Sequence, residues 1–220
     1  MRGLVLFDLD GTLVDSAPGL AHAANGLRLR RGLPALPYKA LREHCGSGAA
    51  GMIWAGLRVP TTAASFAELK HEFLENYGRV MVAMSTPFDG VVEMLSELQR
   101  RELAWGIVTN KVIELARPLC EAKGLAAGAR CIVSGQTLGA PKPAPDALLY
   151  AMHSLGYAAN ETLYVGDDVR DARAAANAGI AFAAASWGYT GSGANVELWG
   201  ADAIARRVEA LPDLAVELLG

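Results

Sequence analysis

The 220-residue sequence has little of what several large protein classes require. Its three cysteines, Cys45, Cys120 and Cys131, are odd in number, widely spaced and without a C-x-x-C pair. That argues against a disulfide framework and for reduced thiols in a cytosolic protein. The four histidines, His22, His44, His71 and His153, never stand at metal-ligand spacing, so each is read as surface or structural. There is no long basic run and the net charge is −3, so neither nucleic acid nor an anionic membrane is an expected partner. The longest charge-free run, Ala174 to Val196, is broken by Asn177, Ser186, Thr190, Ser192, Asn195 and four glycines, too polar to span a bilayer. Met1 leads within three residues into an apolar run, which leaves no room for a signal peptide. The expected location is the cytoplasm.

What remains is a chain rich in core-forming residues, 52% hydrophobic and 20% charged, long enough for one large domain or a domain carrying an insertion. Strand-like apolar runs at Leu4 to Phe7, Leu103 to Val108, Cys131 to Val133, Thr162 to Val165 and Ile180 to Ala184 alternate with helical stretches. Such alternation predicts an α/β fold, a doubly wound parallel sheet with a Rossmann-like core. Between residues 17 and 84 the pattern is helical throughout, with no convincing strand. Ser65, with Glu68 at the capping-box spacing, is expected to open the helix carrying Phe66, Leu69, Phe73, Leu74 and Tyr77. This predicts a small all-helical lobe over residues 16–84, inserted after the first strand into a core of residues 1–15 and 85–220. Motion between the lobes is expected near the crossings at 14–18 and 83–88. Pro118, inside the helix after Asn110-Lys111, is expected to kink or shorten it.

The most informative stretch is Leu4-Val5-Leu6-Phe7-Asp8-Leu9-Asp10-Gly11-Thr12, where a buried strand runs into two acids spaced two apart. Unpaired carboxylates are costly in such a place. A nucleophile and an acid–base group at the C-terminal end of a parallel strand give them a reason, because open α/β sheets hold ligands there. Three more polar clusters follow apolar runs: Thr109/Asn110, Lys142, and Asp167/Asp168/Asp171. In a parallel sheet these ends share one edge, so the clusters are expected to converge. Asp8, Asp10 and Asp167 brought together would repel unless one is protonated or a cation sits among them. An all-oxygen set without histidine or cysteine favours Mg²⁺. Lys142, in a Pro-Lys-Pro turn at the head of a helix, is the candidate counter-charge for a phosphate, and Thr109 and Asn110 are candidate donors to it. Asp168 is left between a site role and a solvent-facing one.

The string Asp8-Leu9-Asp10-Gly11-Thr12-Leu13-Val14-Asp15-Ser16 resembles the haloacid dehalogenase-like hydrolase superfamily, in its phosphatase and phosphomutase branch. Thr109, Lys142, and Gly166-Asp167 with Asp171 match that family's later motifs in order. The resemblance implies that Asp8 attacks phosphorus to form an aspartyl-phosphate. Asp10 would protonate the leaving alcohol, then take a proton from the hydrolytic water. It further implies metal contacts from the Asp8 carboxylate, the Asp10 backbone carbonyl and Asp167, with Asp171 behind them orienting metal waters or Lys142. Crowding against Asp8 is expected to raise the pKa of Asp10.

Asp15-Ser16-Ala17-Pro18, Thr109-Asn110-Lys111 and Tyr164-Val165-Gly166-Asp167-Asp168 resemble the phosphoglycolate phosphatase group, as does Gly46-Ser47-Gly48. Val112 departs from a proline frequent there. The same stretches, with Arg31-Gly32-Leu33-Pro34, Trp105-Gly106 and Trp199-Gly200-Ala201-Asp202, are also similar to N-acetylmuramic acid 6-phosphate phosphatases. A small phosphorylated metabolite is the implied partner, phosphoglycolate favoured over the amino-sugar phosphate and over a phosphomutase reaction. The protein is expected to be a monomer or homodimer. Lys111, Arg42 and Arg58 are candidates to meet a substrate carboxylate, although a solvated position is the expectation for each. Trp54 and Trp187 are the tryptophans placed to touch substrate, with packing the expectation for both.

Overall fold

The structure is a computed structural model, and residues 3–191 and 195–220 are described. Met1-Arg2, the lead into the first strand, and Ser192 of the charge-free run lie outside them. Its centre is a parallel sheet of six strands: β1 (Gly3–Phe7), β4 (Leu103–Thr109), β5 (Ile132–Ser134), β6 (Thr162–Gly166), β7 (Ala181–Ala185) and β8 (Ala203–Ala205), in the order β5-β4-β1-β6-β7-β8. Two further strands, β2 (Val14–Asp15) and β3 (Thr86–Pro87), form an antiparallel pair of their own. The strand order reverses between β1 and β6, the switch point where such sheets open a crevice at their C-terminal edge.

β1 is central because every one of its residues can be buried on either face. Leu4 and Leu6 join one apolar layer, with Ala147, Leu148, Met152 and Tyr164. Val5 and Phe7 join the other, with Val91, Leu95, Leu98 and Leu211. Side chains alternate across a strand, so this split is what a sheet covered by helices on both faces demands. The covering helices are α5 (Val91–Arg100), α6 (Ile113–Ala122), α7 (Asp146–Leu155), α8 (Val169–Ala178) and α9 (Leu211–Leu219). α6 runs through Pro118 to Ala122, so the proline does not end it; the ladder forgoes the one bond an N–H at 118 would make.

The helical block lies between β2 and β3 and comprises α1 (Ala17–Leu29), α2 (Tyr38–Arg42), α3 (Gly48–Leu57) and α4 (Phe66–Val80). α1 packs on α3 and α4, with Leu20, Ala24 and Leu27 against Met52, Ile53, Leu69, Phe73 and Tyr77. Leu69, Phe73 and Tyr77 recur every four residues, which places them on one face of α4. Burying side chains of this size stabilises by about 1.5–3 kcal/mol each. The surface pairs of Arg30 and Arg31 with Glu72 contribute at most about 1 kcal/mol, so the apolar seam holds the block together. Ser65 does not cap α4: its backbone is already helical (φ −79°, ψ −6°) and its side chain makes no cap hydrogen bond. The turn before it, with Phe66 N–H bonded to Ala63 O, has already begun the coil. No helix among the described residues is long and apolar enough to cross a membrane.

Candidate active site

The chain leaves β1 at Asp8 and turns back at once. Leu13 and Val14 both donate their N–H groups to Leu9 O, and Gly11 N–H donates to Val14 O. Gly11 sits at φ +90°, and a Cβ there would overlap the Asp167 carboxylate, so the turn requires glycine twice over. Through this turn the C-terminal ends of β1 and β6 bring Asp8 and Asp167 together. α8 then adds Asp171, and carboxylate oxygens of the three lie within 4.8 Å of one another.

Lys142 is the cation at this cluster. Its ammonium lies 2.6 Å from Asp171 Oδ1 and 3.0 Å from Asp8 Oδ1, and its side chain is 3% exposed. It also donates to the Tyr164 hydroxyl at 2.6 Å, and Tyr164 in turn lies 2.9 Å from Val108 O. Burial alone would push the Lys142 pKa down, but Asp171 and Asp8 outweigh it and hold it above its ordinary value. The ammonium is thus the ion-pair partner of the Asp8 carboxylate, whose Oδ1 is buried. Burial, aided by Asp171, pushes the Asp8 carboxyl up to about 6 in spite of Lys142. Asp167 is raised well above its ordinary range, by burial first and then by Asp8 and Asp171.

Three acids and one ammonium leave surplus negative charge in a dry place. Hard oxygen donors from Asp8, Asp167 and Asp171 fit a divalent cation with oxygen preference, and such an ion would reverse the upward shifts. The cluster can therefore hold a metal ion.

The remaining expected residues converge on the same edge. Thr109, the buried last residue of β4, accepts the Lys111 N–H on Oγ1 at 3.2 Å, which leaves its own hydroxyl hydrogen to give. Asn110 fixes the lysine's backbone: its Nδ2 donates to Lys142 O at 3.0 Å and its Oδ1 accepts Lys142 N–H at 2.8 Å, which leaves the second amide hydrogen to give. Asp168 does not point idly to solvent. It caps α8 by accepting Arg170 N–H at 2.8 Å, while Asp171 Oδ2 accepts Asp168 N–H at 3.1 Å. Its carboxylate also pairs with Arg170 at 2.7 Å, and Arg170 reaches the Gly46 carbonyl in the helical block. The spacing Asp-x-x-Asp over 168–171 is a capping-box signal visible in the sequence.

Asp10 departs from the expectation of crowding against Asp8. Its carboxylate faces Lys111, whose ammonium lies 3.1 Å from each oxygen and donates to the Tyr77 hydroxyl of α4 at 2.8 Å. Lys111 is thus not solvated: its side chain is 7% exposed. Burial opposes its charge, but Asp10 and Tyr77 raise its pKa overall. Its position directly after β4, on the edge where all the clusters meet, was the signal for it. The expectation for the two tryptophans holds for Trp187, which donates to Thr12 O at 3.1 Å. Trp54 is partly exposed, with Arg58 stacked 5.6 Å over its ring. Asp167 is held by Thr12, donating to its Oδ1 at 2.7 Å, and by Tyr189, donating its N–H to Oδ2 at 2.6 Å, contacts that no local sequence pattern marks. Above the acids lies a cavity of about 360 Å³. The sheet edge supplies Asp8, Asp10, Thr109 and Lys142 to its wall, and the helical block supplies Leu20, Phe66, Phe73 and Tyr77.

Residues 5–185 match the model of the haloacid dehalogenase-like hydrolases. The chain belongs to that family. As a haloacid dehalogenase-like hydrolase it has named relatives over nearly its whole length. It is 39% identical over 210 residues to a phosphoglycolate phosphatase of Xanthomonas campestris, covering 96% of this chain and 93% of that one. It is 34% identical over 210 residues to the N-acetylmuramic acid 6-phosphate phosphatase of Pseudomonas aeruginosa, at the same coverage of 96% and 93%. Among solved structures, a predicted phosphoglycolate phosphatase from Haemophilus somnus superposes with a TM-score of 0.85 at 26% identity, covering 97% of this chain and 98% of that one. The hydrolase is a phosphatase of this family, with the six-stranded doubly wound core the family implies.

Proposed function

We propose that the protein hydrolyses the phosphate ester of a small carboxylic acid, 2-phosphoglycolate first, with Mg²⁺ and through an aspartyl-phosphate on Asp8. The observation that carries the substrate class is Lys111. It is a buried ammonium on the cavity wall beside Asp10, placed to meet a carboxylate on the leaving group. The role of each residue follows from its partners. Asp8, at the end of β1 with Lys142 against it, attacks phosphorus in line. Lys142 faces the attacking carboxylate and the incoming dianion, and Asp171, Tyr164 and Asn110 hold it in place. Thr109 donates its hydroxyl to a phosphoryl oxygen. As Lys111 turns from Asp10 to the substrate's carboxylate, Asp10 takes up a proton, gives it to the departing alcohol and recovers one from the water that cleaves the acyl phosphate.

Asp8, the Asp10 carbonyl and Asp167 would hold the metal. When bound, it supplies positive charge that offsets repulsion between the acids and the phosphate. Residues 16–84 act as a cap that excludes water from the reaction. The three free cysteines fit a reducing cytoplasm.

A second substrate, N-acetylmuramic acid 6-phosphate, is favoured by the size of the cavity. Its volume of about 360 Å³ exceeds what a two-carbon acid needs and falls at the lower end of the roughly 300–1,000 Å³ typical of sites for larger ligands. Both substrates carry a carboxylate. Phosphate release from the two esters, from neutral hexose phosphates and from p-nitrophenyl phosphate, each with Mg²⁺ and with EDTA, tests the reading. Mg²⁺-dependent release fastest for 2-phosphoglycolate supports it as written. Preference for the amino-sugar acid keeps the chemistry and changes the substrate. Faster turnover of the neutral hexose phosphates would remove Lys111 from specificity.

A further inference from the structure

Tyr189 touches two separate parts of the molecule with its two ends. Its backbone N–H donates to Asp167 Oδ2 at 2.6 Å, inside the acid cluster. Its hydroxyl stands at the start of α1, where it accepts the N–H of Ser16 at 2.7 Å and of Ala17 at 2.9 Å and donates to Asp15 Oδ1 at 2.6 Å. Ser16, the residue in the N-cap position, makes no side-chain cap bond, so the tyrosine does what a cap residue ordinarily does. Arg42 of the helical block lies 5.2 Å over the ring, which is itself 3% exposed.

Asp15 and Ser16 are also where the chain passes from the sheet into the helical block. Asp15 pairs with Thr86 of the returning strand. On the outgoing crossing the hydroxyl of Ser16 is buried and without a hydrogen-bond partner. The Tyr189 ring has two side-chain torsions and no flexible stem. It passes on a displacement at one end instead of absorbing it.

We propose that Tyr189 is a positioning residue that couples the geometry of Asp167 to the angle of the helical block at its hinge. A ligand that fixes Asp167 then fixes the start of α1, and closure of the block draws Asp167 into place. Such coupling is reciprocal. The inference builds on the phosphatase activity of the family and is independent of which ester is the substrate.

Tyr189→Phe tests it, since the change keeps the ring, the Arg42 stack and the N–H on Asp167 and removes the hydroxyl alone. With p-nitrophenyl phosphate as probe, kcat should fall about tenfold, as for a small misplacement of a reacting group, while KM changes less than about twofold. Asp15→Asn should give a similar loss, and the double variant should be no worse than the worse single one. A wild-type kcat in Tyr189→Phe, or losses that multiply in the double variant, would overturn the proposal. Lower melting temperature without loss of kcat would also overturn it, in favour of a structural role. A second arm requires no turnover and no metal: hydrogen exchange of the Ser16 and Ala17 amides. Asp167→Asn should quicken that exchange in the wild-type background and have no added effect in Tyr189→Phe. Equal quickening in both backgrounds, or none in either, would sink the coupling. An inactive wild type that still passed this arm would count against the phosphatase reading alone.

Discussion

Two lysines are buried at this site, and each stands beside a carboxylate with a tyrosine against it. Lys142 has Asp8, Asp171 and Tyr164, all from the sheet and the helix that follows it. Lys111 has Asp10 from the sheet edge and Tyr77 from the helical block. The ammonium groups lie 5.3 Å and 4.4 Å from the centres of their tyrosine rings. The chemistry of the two sites is nearly the same, and the wiring is not. One cation is held by residues of the sheet and the helix that follows it. The other is shared between the sheet edge and the insertion. A fixed charge suits catalysis, whereas one held between two parts can report what has entered.

Breaking the first lysine should have the largest effect. Lys142→Met removes the cation facing Asp8 and the phosphate, and kcat should fall by about 10³ for every ester alike, as for loss of a preorganised electrostatic partner. Unequal losses across a substrate panel would erase the contrast with Lys111. Lys111→Met should cost about 10² in kcat/KM for acid-bearing esters, in the range for an unmade charged hydrogen bond, and markedly less for p-nitrophenyl phosphate. Equal losses on both would return Lys111 to a purely structural pairing with Asp10. Tyr77→Phe keeps the ring and drops one hydrogen bond, so a several-fold loss with the same substrate selectivity is expected.

The smallest effect is one of stability. The Asp8 carboxyl, raised to about 6 in the fold from 3.8, favours its protonated form there. Its contribution to stability is therefore present below about pH 4 and lost as pH rises through 6. In EDTA, Asp8→Asn should melt higher than wild type at pH 7, and the gap should close towards pH 4. Mg²⁺ should narrow the gap at pH 7 by binding the wild type. A gap that does not change with pH would mean that Lys142 neutralises Asp8 fully.

How much of this could be read in the sequence follows from distance along the chain. Asp8, Thr109, Lys142 and Asp167 each close an apolar run or sit in the turn after one. Parallel strands gather such positions on one edge, so local pattern sufficed for them and for the doubly wound core. The helical block was legible by its periodicity, whereas β2 and β3, two residues each, are too short to show a period. Asn110 has a task that only the fold reveals, since its amide faces the backbone of a residue 32 positions on. Lys111 with Tyr77, and Tyr189 with Asp15, are contacts between distant segments and leave no local mark. Sequence thus located the acids but not the contacts that tie the two parts together.

The β2–β3 pair has a consequence for how the insertion can vary. Both crossings lie side by side in one antiparallel ladder, with Val14 opposite Pro87 and Asp15 opposite Thr86. A body attached along a single line keeps one easy degree of freedom, rotation about that line, because sliding or twisting would shear the ladder. Cross-strand neighbours in such a pair are about 5 Å apart, a gap that a tight turn can bridge. Asp15 and Thr86 therefore form a natural splice point. Everything between them is exchangeable for another insert, or for a short turn, without rethreading any strand of the six-stranded sheet.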